Sequence, residues 1–155
     1  MDIRKAITVA VIAVSCVGGG ATAGVADAAP TSVPEYCSAN PYNSANGFIL
    51  PGKVVRGPQA VAAGRTVALY RAQSTVNGGF YDWAEIHGAG AGSDRVWMDV
   101  SSDGGKHWDQ CGPFNRSSRY YTPATRESSN SSVEFRACGD VLVNGSRVHA
   151  CTTWF

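Results

Sequence analysis

The dipeptide Asn144-Gly145, set between the alternating runs VLV and SRVHAC, constrains this chain more than any other feature. Asn-Gly in that setting predicts a two-residue type I′ turn and therefore an antiparallel hairpin. Counting outward from the turn, Cys138 faces Cys151 at a non-hydrogen-bonded position, where Cα atoms are about 4.5 Å apart. A disulfide accepts that separation, so we predict a Cys138–Cys151 bridge. A bulge at Gly139-Asp140 would break this register.

Residues 1–28 have the three-part layout of a secretory signal peptide. A short basic start precedes the apolar run AITVAVIAVSCV at residues 6–17, and a stretch of small residues follows it. The run is shorter than the ~20 residues that a membrane-spanning helix needs. Ala26-Asp27-Ala28 fits the small-x-small cleavage rule, so we place cleavage after Ala28, with Ala21-Thr22-Ala23 as the second choice. We therefore expect the protein to be secreted and extracellular.

The cysteine count agrees with export. Cleavage removes Cys16 and leaves four cysteines, an even number that indicates two disulfides in an exported chain. Once Cys138 and Cys151 are paired, elimination pairs Cys37 with Cys111. A zinc site is the rival interpretation, but the sequence has no CxxC or HxxxH spacing. We expect no metal and no cofactor.

Charge and hydropathy narrow the range of partners. The formal net charge is +1, which leaves no basic excess to bind a phosphate backbone. We therefore expect no nucleic-acid partner. Because no second long apolar run exists, we expect no membrane partner after signal cleavage. We expect a monomer whose partner is an extracellular protein or glycan.

Short alternating segments separated by turn-forming clusters indicate an all-β fold. Residues 29–64, rich in Pro, Gly, Asn and Ala, predict an extended arm with short strands at FIL and KVV. Residues 65–155 predict a β domain, specifically a small disulfide-stapled antiparallel sandwich or barrel. The predicted strands are TVALYR (66–71), GFYDWAEIH (79–87), RVWMDVS (95–101) and VEFRAC (133–138), each with one apolar face.

The stretch SSDGGKHW, which leads from the strand RVWMDVS into a further strand at HWDQC, predicts a structural turn. Asp103 is placed to accept backbone hydrogen bonds, and Gly105 can adopt a positive φ. We expect Trp108 to return to the core. The stretch resembles the Asp-box hairpin of sialidase-type propellers at Ser101, Asp103, Gly105 and Trp108, with His107 where Thr is usual. In those families the Asp-box is a fold element away from the active site, so the resemblance implies a turn and no activity.

A second resemblance covers residues from about 65 to the end. The motifs are YDWAEI, VWMDVSSDGGKHWDQCGP, FRACGD and the terminal CTTWF. They are similar to those of small exported actinobacterial proteins with an RACG segment and a Cys-Thr-x-Trp end. That group has no established activity. The resemblance supports a β fold and export, and brings no catalytic residues.

Aromatic residues suggest the main functional hypothesis, a non-catalytic binding module. Tyr81 and Trp83 alternate on one strand, and Trp97 is out of phase with its apolar neighbours. Together they would form an exposed face that binds a wall polymer, glycan or protein. The alternative is that this second sheet face is covered. One specific version is a protease inhibitor that presents the 116–132 loop, anchored by Arg119 or Tyr120.

Two other function classes stay open. Glu85 and His87, two residues apart on one strand, share a face and could act as base and orienter in a small secreted hydrolase. Asp94, Asp99, Asp103 and Asp109 lie near one hairpin and could supply a carboxylate pair for glycoside hydrolysis. The third class is a structural protein of the cell surface.

Overall fold

The computed structural model describes residues 37, 39–43, 45, 47–48 and 50–155. The predicted signal peptide and the start of the predicted arm lie outside the described residues. The fold is an all-β sandwich of two four-stranded antiparallel sheets, which confirms the predicted class. Sheet 1 has the order β1-β2-β3-β6 and sheet 2 the order β5-β4-β7-β8. The strands are β1 Lys53–Ala60, β2 Thr66–Gln73, β3 Phe80–His87, β4 Arg95–Ser101, β5 Asp109–Asn115, β6 Thr125–Arg126, β7 Glu134–Val143 and β8 Ser146–Cys151.

The core lies between the sheets, where the predicted alternation places the apolar faces. Every second residue of β2, β3, β4 and β7 points inward, because side chains of a strand alternate between its two faces. These inward residues are Val67, Leu69, Ala84, Ile86, Val96, Met98, Phe135, Ala137 and Val141, all buried. No helix among the described residues is long and apolar enough to cross a membrane.

The β7–β8 hairpin has the predicted register. Asn144 and Gly145 both have positive φ, 50° and 80°, as a type I′ turn requires. Cys138 pairs directly with Cys151, and the register continues through Gly139 without a bulge. The two cysteines form a disulfide with Cα atoms 4.0 Å apart.

The second disulfide joins Cys37 to Cys111 on β5, as elimination predicts. The arm that Cys37 tethers runs along the outer face of sheet 1. Ala39 forms a β-bridge with Ala124, and Phe48 forms one with Ser74. The predicted short strand at KVV is the eight-residue edge strand β1, so the arm contributes a strand to the sandwich.

The turn between β4 and β5 is built as predicted, except at Trp108. Gly105 N–H donates to Ser101 Oγ at 2.8 Å, and His107 N–H donates to Asp103 Oδ1 at 2.9 Å. The prediction that Trp108 returns to the core is wrong, because its side chain is 47% exposed. Trp108 precedes β5 and lies outside sheet 2, where the Arg136 guanidinium is 4.6 Å from its ring centroid. This cation–π contact gives the ring a partner on the outer face.

Candidate functional site

The predicted exposed face of Tyr81, Trp83 and Trp97 does not form, so that prediction is wrong. Trp83 is completely buried, stacked between Tyr70 at 5.9 Å and Phe48 at 6.4 Å. Tyr81 lies beside it and is half-buried, with its ring 4.8 Å from Phe48. Trp97 does point outward, but from β4 in the other sheet. The physical reason is the arm, whose Phe48 covers the outer face of β3.

Further along the same face, the structure brings together five rings around Glu85. We call them the ring patch: Tyr42, Tyr70, His87, Tyr120 and Tyr121. The arm supplies Tyr42, strand β2 supplies Tyr70 and β3 supplies His87. The last two rings come from the 116–132 loop, which is attached to β3. Two of its hydrogen bonds there are Ile86 N–H to Tyr120 O and Thr122 N–H to Ala84 O, each 2.9 Å.

Glu85 is the buried centre of the ring patch, and both its oxygens accept hydrogen bonds. Trp83 Nε1–H donates to Oε1 at 2.7 Å, and the Tyr42 hydroxyl donates to the same oxygen. His87 Nε2 lies 3.0 Å from Oε2, so Glu85 and His87 share a face as their spacing predicts. The Tyr70 hydroxyl lies 3.0 Å from the same His87 nitrogen. The carboxylate therefore links the arm to β3, and His87 extends this contact to Tyr70 of β2.

These contacts shift the pKa values of Glu85, Tyr42 and Tyr70. Burial raises the pKa of Glu85, but hydrogen bonds from His87, Tyr42 and Trp83 outweigh it, so the pKa lies below its ordinary value. Burial and the hydrogen bond to Glu85 raise the pKa of Tyr42 well above that of a free phenol. Burial and the Glu85 charge also raise the pKa of Tyr70. Near neutral pH the centre is therefore a carboxylate beside the neutral phenols of Tyr42 and Tyr70.

This geometry is better suited to holding aromatic rings in place than to proton transfer in catalysis. A catalytic general acid needs a raised carboxyl pKa, and Glu85 has a lowered one. Within the described residues, none of the hydrogen bonds of the Glu85 and His87 side chains involves a serine, threonine or cysteine. The rings are accessible, however, because Tyr42 is 40% exposed, Tyr120 41% and the His87 side chain 41%. The patch is thus an exposed aromatic surface on a fixed polar centre.

The four aspartates considered for glycoside hydrolysis do not form a catalytic pair. Three of them are held by basic partners at separate places, and Asp109 is exposed at the start of β5. Hydrogen bonds from the backbone and then the side chain of His107 lower the pKa of Asp103, the opposite of what an acid catalyst needs. The contacts are Arg65–Asp94 at 2.9 Å, Arg136–Asp99 at 2.8 Å and His107–Asp103 at 2.6 Å.

The cysteines form no thiolate metal site among the described residues. Asp99 Oδ2 is 3.5 Å from Cys138 Sγ, and the Cys151 sulfur lies close by. Because both sulfurs are joined in a disulfide, neither can serve as a thiolate ligand.

The 116–132 loop is less free than an inhibitor loop would be. Thr122 and Ala124 in its middle are buried, and Thr125–Arg126 form the edge strand β6. The guanidinium of Arg119 lies 4.3 Å from the Phe114 ring centroid. Tyr120 is the exposed ring of the loop, and its main contacts are with the ring patch.

No protein-family model, curated protein sequence or solved structure matches this chain. The two sequence resemblances therefore rest on their motifs alone and stay predictions.

Proposed function

We propose that this protein is an exported, non-catalytic binding module and that the ring patch is the surface that binds its partner. The observation that carries the proposal is the arrangement at Glu85. Three accessible rings (Tyr42, His87 and Tyr120) are held in place by one buried carboxylate or by rings that contact it. Tyrosines fixed in this way offer large contact areas and hydroxyl groups at low entropic cost on binding.

The shape of the ring patch favours a protein partner over a glycan. Tyr42 and Tyr120 are tilted by 51°, Tyr42 and Tyr121 by 60°, and Tyr120 and Tyr121 by 83°. Flat sugar faces stack on one accessible ring face, whereas mutually tilted rings form a corrugated surface with pockets for side chains. Tyrosine is also enriched in the residues that dominate protein–protein binding energy.

The experiment that tests this proposal compares capture by matched variants. Residues 29–155 are immobilised and exposed to spent medium and cell-wall fragments, for the wild type, Tyr120→Ala and Phe80→Ala. Phe80 is the control, because it is 44% exposed at the far end of β3. We expect a protein retained by the wild type and Phe80→Ala but lost by Tyr120→Ala. Equal retention by both variants, or retention of wall polymer alone, would contradict a protein-binding ring patch.

The identity of a retained protein would decide between versions of this proposal. An extracellular protease would indicate an inhibitor in which Tyr120 or Arg119 is the anchor. Recovery of the protein itself in the cell pellet, bound to wall material, would favour the structural surface class.

A small secreted hydrolase is the second candidate function. The observation that favours it is the Glu85–His87 contact, which orients an accessible imidazole. The lowered pKa of Glu85 limits that carboxylate to an orienting role. A panel of ester, amide and glycoside substrates tests this candidate. Turnover that Glu85→Ala and His87→Ala abolish and Phe80→Ala preserves would replace the binding module with an enzyme.

A further inference from the structure

The glycine-rich loop GAGAGSD, residues 88–94, connects β3 to β4 at one end of the sandwich. Residues 88–93 are exposed, whereas Asp94 is completely buried. The loop is outside the ring patch and has no part in the proposed function. Its Gly and Ala residues allow the backbone to approach neighbouring groups closely.

Arginines surround this loop. Arg65 Nε donates to Asp94 Oδ2 at 2.9 Å, and Arg147 Nη1 donates to the Ser93 carbonyl at 3.2 Å. Arg147 also shares Asp140 with Arg95. Arg116 follows β5, and its backbone N–H donates to the Asp94 carbonyl at 2.8 Å. Four arginines therefore meet two aspartates here, which leaves an excess of positive charge in a protein of net charge +1.

Two buried polar atoms at this loop have no hydrogen-bond partner among the described residues. One is an acceptor, Asp94 Oδ1, and the other is a donor, Arg116 Nη1. Both residues lie against Gly90, where an added Cβ would be 2.3 Å from Asp94 Oδ2 and 3.2 Å from Arg116 Nη1. Leaving buried polar groups unpaired is unfavourable, so their pairing by a bound group would be favourable.

We infer that Asp94, Arg116 and the Gly90 backbone form a binding site for a phosphate group that carries a proton. The phosphate oxygens would accept from Arg116 and balance the excess positive charge. The phosphate O–H would donate to Asp94 Oδ1. Sulfate has the same shape but no proton at neutral pH, so it would leave Asp94 unpaired and facing a like charge. The loop covers these atoms, and the Gly92 carbonyl accepts a hydrogen bond from Ser117 N–H at 3.2 Å, so a bound phosphate would have to displace the loop.

The test uses inorganic phosphate and sulfate as probes at pH 6, with residues 29–155 and NMR of the backbone amides. We expect saturable shifts at Gly90 and Gly92 with phosphate, and at least about tenfold weaker binding of sulfate. Arg116→Gln should abolish the shifts. Because the Arg116 side chain has no hydrogen bond among the described residues, that variant should keep the wild-type unfolding midpoint. Arg126→Gln, an exposed arginine on β6, is the matched control and should bind as the wild type does.

Asp94→Asn tests whether the phosphate O–H donates to Asp94. Without the carboxylate, the preference for phosphate over sulfate should disappear. Titration with glucose 6-phosphate distinguishes a phosphomonoester site from a free-phosphate site, because this probe binds only if one phosphate oxygen can carry a substituent. Near pH 6 about half of it still has the required proton. Equal binding of sulfate and phosphate, equal loss in Arg116→Gln and Arg126→Gln, or a rigid water in place of any anion would overturn the inference. None of these outcomes involves the ring patch, so the binding-module proposal is tested separately.

Discussion

At the scale of single residues, Glu85 determines whether the ring patch is ordered. Replacing it with Gln keeps the size but removes the charge that three donors share. We expect Glu85→Gln to lower the free energy of unfolding by about 1–3 kcal/mol. The Tyr42 phenol should also titrate closer to its ordinary pKa. Urea unfolding and ultraviolet titration measure these effects, with the partly buried Glu134→Gln as control. A Glu85→Gln protein of unchanged stability and unchanged phenol titration would show that Glu85 does not organise the rings.

Asp82 gives a residue-scale prediction about pH. It is completely buried beside Arg71, and burial raises its pKa to about 6, although the Arg71 charge opposes the shift. A raised folded-state pKa means that the folded protein binds the proton more tightly than the unfolded chain does. The stability that Asp82 contributes is therefore fully present below pH 4 and is lost as the pH rises through 6.

Comparison with Asp82→Asn isolates this effect from the other carboxyl groups. Glu85 and Asp103 have lowered pKa values, so their contributions change in the opposite direction, but they are common to both proteins. We expect the stability of Asp82→Asn relative to the wild type to rise by about 2 kcal/mol between pH 4 and pH 7. Urea midpoints across that range provide the measurement. A pH-independent difference would mean that Asp82 titrates normally.

At the scale of elements, the turn between β4 and β5 offers a matched pair of glycines. Gly104 and Gly105 both have positive φ, 72° and 81°. A Cβ at Gly104 would meet nothing within 4 Å, whereas one at Gly105 would lie 2.7 Å from Trp154 Nε1. Alanine at either position incurs about 1–2 kcal/mol of backbone strain. We expect Gly105→Ala to lose at least about 1 kcal/mol more, because Trp154 must move. Equal losses in thermal or urea unfolding would mean that Trp154 does not pack on the turn.

The two disulfides should differ in their effect on stability and on the arm. Cys37–Cys111 spans 74 residues and Cys138–Cys151 spans 13. Loop-closure entropy therefore predicts that replacing the first pair with alanine destabilises the protein by about 1.5 kcal/mol more. Loss of the first pair should also free the arm and uncover Trp83, with a red shift in tryptophan fluorescence. The Cys138/Cys151 double variant should keep Trp83 buried. A red shift in that variant as well would show that the arm is held by something other than Cys37.

The strands that sequence could predict are those with one face on the core. In β2, β3 and β4 the alternation of buried and outward residues fixes both the strand and the direction of each side chain. Strand β1 has no such pattern, because most of its residues are exposed and register shifts occur at Val54/Arg56 and Arg56/Gln59. The length of β1 follows from its pairing with β2, and no local sequence pattern predicts that pairing. The prediction for Trp108 is wrong for a related reason, since an aromatic residue beside a strand gives no sign of a cation–π partner from another strand.

At the scale of the whole molecule, the candidate site also depends on contacts between distant segments, which local sequence patterns do not predict. The spacing of Glu85 and His87 predicts that they share a face, and the structure confirms it. Tyr42 lies 43 residues from Glu85 along the chain, and alternation within β3 cannot show that the arm crosses at this point. The predicted Trp83 site failed for the same reason, since the arm covers it. The signal that could have found part of the ring patch is the Tyr120-Tyr121 pair in a loop otherwise rich in serine.

The last prediction concerns the mature protein as a whole. Disulfides form and persist in oxidising compartments, and this fold has two of them. When the full chain is expressed in a secreting bacterial host, we expect a protein in the medium that begins at Ala29. Its intact mass should be lower than that of the reduced chain by four hydrogen atoms.

Ala28→Leu should move cleavage to the second choice, after Ala23, because the cleavage site requires small residues. N-terminal sequencing and intact mass spectrometry test both points. A secreted protein that retains residues 1–28, or one acylated at Cys16, would contradict the predicted signal peptide.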